Sequence, residues 1–161
     1  RSISTCAGAV KVSGEKLAMN CSSLHDGKTR EDRFEALARE LDCRFNDDFI
    51  PAGKYVPAVQ HGDQIFLSGQ LPKVGNEIRV MGVVGADVSI DAGVLAARIC
   101  CLRALAVLRW HLGSLDQIRA VAKMVVHVQS APGFARHSEI ADGASEILDG
   151  FAPVLPDTIS H

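Results

Sequence analysis

Gln64-Ile65-Phe66-Leu67-Ser68-Gly69-Gln70-Leu71-Pro72 follows His61-Gly62-Asp63 and, before that, Gly53-Lys54-Tyr55-Val56-Pro57-Ala58-Val59. Turn chemistry flanks the apolar run. Gly62 and Asp63 favour a reversal ahead of it, and Pro72 has no N–H with which to continue a ladder beyond it. Residues 64–70 therefore predict a short strand. Gly75-Asn76 is a second turn signal leading into Ile78–Val84, so these two segments are expected to form a hairpin.

Downstream, Ser89 stands as an N-cap with Asp91 in the first turn, where a negative charge faces exposed N–H groups, and Gly113 supplies the stop. The helix so bounded, residues 90–112, carries Arg98, Arg103 and Arg109 as its charged residues after the first turn. It is otherwise apolar nearly all round, which predicts cover on more than one side. The three arginines read as a solvated or inter-subunit face. Residues 119–129 alternate as a strand, with Ala122, Met124, Val126 and Val128 on one face and Val121, Lys123, Val125 and His127 on the other. Ser130 and Pro132 open a second helix whose buried stripe is Ile140, Ala144, Ile147, Leu148 and Phe151.

Upstream, Thr29 and Asp32 have the spacing of a hydroxyl N-cap and its returning acid. Phe34, Leu37, Ala38 and Leu41 follow at helical intervals, so residues 30–42 predict an accessory amphipathic helix. The order β-β-α-β-α defines an α+β fold with helices on one face of a sheet.

With 161 residues, 47% hydrophobic and 22% charged, the chain is of a size for one domain with one core. No apolar run approaches the ~18 residues of a membrane span. A formal charge of −2 provides no broad field for a phosphate backbone, which argues against nucleic acid as a partner held by charge. The five cysteines, two adjacent at Cys100-Cys101, show no metal-ligand spacing; they read as buried apolar side chains in a reducing compartment, and no metal or cofactor is expected. His127, on a strand, reads as a histidine satisfied by a protein partner. Residues 1–28 read as an unstructured or targeting-like segment. Residues 1–23 hold Glu15 as their acid and lack a secretory h-region. A cytoplasmic location is expected, with an organelle transit peptide as the alternative. The folded domain is placed at 29–161.

The Gly-x-Tyr segment, the Ser-Gly-Gln-Leu-Pro strand end and Ser114-Leu115-Asp116-Gln117-Ile118 together resemble the YjgF/RidA (L-PSP endoribonuclease-like) family over about residues 50–151. Ala131-Pro132-Gly133-Phe134 and Asp142-Gly143-Ala144-Ser145 are most similar to its longer subgroup, which bears the endoribonuclease label and an extra N-terminal helix. The resemblance implies a chorismate-mutase-like fold and a homotrimer with sites in clefts between neighbouring subunits. It also implies hydrolysis of reactive 2-imino acids or enamines with loss of ammonia and without metal. Such chemistry asks the protein to hold a carboxylate, exclude bulk water and position one water beside a proton acceptor.

By the same resemblance Tyr55 is the candidate catalytic residue, a phenol lining the cleft; the alternative is a buried structural tyrosine. Ser68, Gly69 and Asp142 are candidate substrate-binding residues, Ser68 as a hydrogen-bond donor and Gly69 as a close backbone approach. Ser68 has no Gly-x-Ser-x-Gly elbow and is not a nucleophile candidate. Asp142 takes the place of a family asparagine near the cleft, where a carboxylate would repel the substrate's own unless turned away or protonated. The family's carboxylate-holding arginine, its glutamate and its last two strands lie beyond the counterpart of His161. The resemblance therefore predicts a truncated domain with an exposed sheet edge and reduced turnover. An endoribonuclease and a non-catalytic ligand-binding homologue are the rival readings.

Overall fold

A long central helix organises the molecule, and its limits follow from its caps. Ser89, in an extended conformation, accepts the Ala92 N–H through its side chain, and Gly113 closes the far end with φ of 79°, a left-handed value that suits a residue without Cβ. The computed structural model describes residues 4–12, 29–45, 54–149 and 151. In chain order the elements are β1 (Ser4–Val12), α1 (Arg30–Glu40), β2 (Ala58–His61), β3 (Gln64–Gln70), β4 (Lys73–Val74), β5 (Glu77–Ile78), α2 (Ile90–Leu112), β6 (Ile118–Val128) and α3 (His137–Leu148). The chain is thus α+β, as its sequence predicts.

The main sheet has the order β2-β3-β1-β6, and every neighbouring pair is antiparallel. β3 and β6 therefore run parallel, linked through α2, with β1 between them. This corrects the reading of residues 1–28 as unstructured: Ser4–Val12 is a strand near the middle of the sheet, while residues 13–28 lie outside the described residues. Its sequence STCAGAVKV lacks a strict alternation, and its pairing on both sides stabilises it instead. It joins β3 to β6, which stands at the end of the described sheet. Gly8 allows the close approach on which this depends, since a Cβ there would lie 2.7 Å from the Lys123 carbonyl oxygen.

The hairpin predicted from residues 64–70 and 78–84 does not form. β3 pairs with β2 and β1, and the Gly75 turn joins only the two-residue strands β4 and β5. Beyond Ile78 the chain turns on Gly82 (φ 133°) and Gly85 (φ 84°), and Val84 instead exchanges backbone bonds with Gln129 and Ala131 at the exit of β6.

One face of α2 lies on the sheet. Another receives α3 through Gly93 and Gly143, with Ile140, Ala144, Ile147, Leu148 and Phe151 buried as predicted. Cys100 and Cys101 are buried too. At the C-terminal end of α2 sits α1, begun by the predicted capping box of Thr29 and Asp32. Arg109 bridges Glu31 and Glu35 at 2.9 and 2.7 Å and lies over the Phe34 ring, while Glu31 also accepts the Leu115 N–H at 2.8 Å. Charge pairs and one aromatic anchor thus dock the accessory helix. Among the described residues no helix is long and apolar enough to cross a membrane.

Candidate functional site

The C-terminal end of β3 differs from an ordinary strand end. Leu67 is opposite Gly8 and Gln70 is opposite Cys6, so three steps on β3 match two on β1. Ser68 and Gly69 absorb the extra residue as a bulge. Ile65 and Leu67 pack toward the helices. Strict alternation would then turn Gln70 outward, but the bulge reverses the phase and brings it to the helix side. There it is 6% exposed, the one buried polar side chain among the described residues.

A buried amide requires partners, and Gln70 has three. Its Oε1 accepts from Arg103 Nε at 3.2 Å, and its Nε2 donates to the Ser68 carbonyl at 3.0 Å and to Ser68 Oγ at 3.2 Å. Arg103 Nη1 also donates to the Lys73 carbonyl at 3.4 Å, tying α2 to β4. Burial pushes the Arg103 guanidinium below its ordinary pKa, opposed by the nearby Cys100 thiol and Tyr55 phenol. The segment bearing Tyr55 is held beside the bulge by the Ser68 N–H donating to the Pro57 carbonyl at 3.0 Å.

Of the four residues predicted for the site, the structure groups three. Tyr55, 51% exposed, is not a buried structural tyrosine. Ser68 is half-buried and Gly69 is exposed within the bulge. Asp142 is on another element, exposed on α3, whose next residue, Gly143, packs against Val94 of α2. Gln70 and Arg103 are the members that sequence reasoning missed. The three helix arginines, read together as a solvated or inter-subunit face, separate into distinct roles: Arg98 pairs with Glu146, Arg109 with α1, and Arg103 with the bulge. A charged residue amid Leu102 and Leu105 was the available signal, but its partner lies 33 residues away.

A small apolar cavity of about 40 Å³ lies between the sheet and α2, lined by Leu67, Leu105, Met124 and Phe151 among others. A second, of about 450 Å³, lies beside α1 around Phe34, Arg39 and Arg44. Ser130 Oγ and His137 Nε2 approach to 2.9 Å at the entry to α3, on elements separate from the bulge. Among the described residues no group of three or more His, Cys, Asp or Glu side chains could hold a metal ion.

The family described as "YjgF/chorismate mutase-like, putative endoribonuclease" matches residues 43–153. Protein TCP17 of Trypanosoma cruzi is 39% identical over 116 residues, which cover 72% of each chain. The crystal structure of protein Atu1372 of Agrobacterium tumefaciens, of unknown function, matches with a TM-score of 0.60 at 30% identity over 74% of each chain. That of a "putative endoribonuclease" from Shewanella oneidensis MR-1 matches at 0.61 with 24% identity, covering 73% of this chain and 78% of the other, and shows the common fold.

Proposed function

The chain belongs to the YjgF/chorismate-mutase-like family, and on that premise we propose that it hydrolyses small 2-imino acids or their enamines, releasing the 2-oxo acid and ammonia. The observation that carries this reading is the convergence of a hydroxyl, an exposed phenol and a half-buried guanidinium on one strand end. A protonated imine carbon is already electrophilic. Water adds to it, the carbinolamine loses ammonia as the C–N bond breaks, and the carbonyl forms; the protein's part is to hold the carboxylate, exclude bulk water and position one water beside a proton acceptor. In this reading Ser68 donates to a substrate oxygen, Tyr55 hydrogen-bonds the substrate or its water, and Gly69 lets the ligand approach the backbone.

A second subunit would supply the opposite wall. The helices cover one face of the sheet, and on the opposite face Phe66 and Val59, paired across β2 and β3, are 46% and 52% exposed. We read that face as the contact of a homotrimer.

The family description favours one rival, an endoribonuclease. That activity requires a general acid and base beside a phosphate-binding surface, and a formal charge of −2 supports no broad one. The deciding measurement follows the decay of 2-iminopropanoate generated in situ, with and without the purified chain, alongside a single-stranded RNA cleavage assay. Accelerated imine decay with intact RNA is the expected result. Cleaved RNA with unchanged imine decay would reverse the assignment.

A further inference from the structure

Building on the reading of Ser68 as a ligand contact, we propose that Arg103 is a positioning residue: acting through Gln70, it keeps the Ser68 hydroxyl as a donor for an oxygen acceptor of the ligand. The argument rests on donor and acceptor counts. A guanidinium has donors and no acceptor. The Gln70 atom 3.2 Å from Arg103 Nε must therefore be the amide oxygen, whatever orientation the side chain would otherwise take. The amide nitrogen then faces Ser68, 3.0 Å from its carbonyl oxygen and 3.2 Å from Oγ.

An NH₂ group is purely a donor, so at that contact Ser68 Oγ is the acceptor. Its own proton is left for another partner. Among the described residues none takes it, and Ser68 is half-buried at the surface where the bulge reaches Tyr55. The ligand chemistry selected is an oxygen acceptor, as in a carboxylate or carbonyl. Without Arg103 the buried Gln70 oxygen loses this donor, the amide is freed to rotate, and the hydroxyl loses its fixed polarity.

The test is a double-mutant cycle read by binding. The probe is 2-oxobutanoate, a stable acid carrying both acceptor types, titrated by NMR into wild-type protein, S68A, R103M, the S68A/R103M pair and R103K, each checked for folding by circular dichroism. S68A and R103M should each weaken binding on the order of tenfold. The pair should be no weaker than S68A alone, and R103K, which keeps a donor toward Gln70, should recover most of the affinity. If R103M does not fold, Gln70→Met replaces it in the cycle with the same expectation. Equal binding by S68A and wild type, losses that multiply in the pair, or R103K behaving as R103M would each overturn the relay. A wild type that hydrolyses the imine while S68A binds the probe unchanged overturns only this inference. A wild type that neither hydrolyses the imine nor binds the probe overturns the deaminase reading as well.

Discussion

Two buried side chains show how local chemistry depends on distant partners. Gln70 is an ordinary surface residue by type, yet it is buried because a bulge turns it inward and Arg103 meets it there. Cys43, 4% exposed beside α1, is the second case. Burial raises its thiol above the ordinary range for cysteine, opposed by Arg79 and assisted by Asp42. A raised folded-state pKa means that the native protein holds this proton longer than the unfolded chain does. The resulting stability is fully present below the unfolded value and is lost as pH rises through the folded one. In urea unfolding, the stability difference between wild type and Cys43→Ala should therefore shrink as pH rises above the unfolded thiol's pKa of about 8.5, and a constant difference would contradict the burial. The proximity of Tyr55 to Ser68 was legible because both belong to one short stretch of sequence, residues 53–72. The role of Arg103 was not, because its apolar neighbours Leu102 and Leu105 hint at burial but its partner Gln70 lies 33 residues away.

At the level of elements, caps and periodicity identify α1, α2, β3 and α3, and they fail where glycine torsions and cross-strand partners decide. Ser89 and Gly113 mark the ends of α2 in the sequence as they do in space. Residues 79–84 have strand-like composition, but positive φ at Gly82 and Gly85 bends the chain away from a ladder. β6 is likewise predicted, though register shifts against β1 interrupt its alternation, so that Val121 joins Met124, Val126 and Val128 on the core side. His127, expected to be satisfied within the protein, is exposed. The contact of α2 with α3 depends on small residues. A Cβ on Gly143 would lie 2.8 Å from both the Val94 carbonyl oxygen and its Cγ1, one of them backbone and unable to yield cheaply. Gly143→Ala should consequently destabilise the fold by about 1–2 kcal/mol, the overpacking cost exceeding alanine's better helix propensity. Urea denaturation measures this, and a stabilised variant would show that the helices are not so closely seated.

For the whole molecule, the one-sided distribution of helices leaves a sheet face on which, among the described residues, large apolar side chains stay exposed. Phe66 and Val59 lie next to one another on it. An apolar patch of this kind on a strand pair fits subunit contact. Light scattering coupled to size exclusion should therefore give a trimer for the wild type and a monomer for Phe66→Asp, with unchanged circular dichroism; a monomeric wild type would remove the shared-cleft reading. The sequence by itself determined the fold class, both limits of α2, the capped start of α1 and the strand bearing the Ser-Gly-Gln motif, because capping, periodicity and turn chemistry act over a few neighbouring residues; α3, expected to open at Ser130 and Pro132, begins only at His137, where no side chain caps it. Only the tertiary structure decided that Ser4–Val12 fills the space between β3 and β6, and that Arg103 meets Gln70. Both results depend on register and close approach between segments far apart in the chain, which no local pattern encodes.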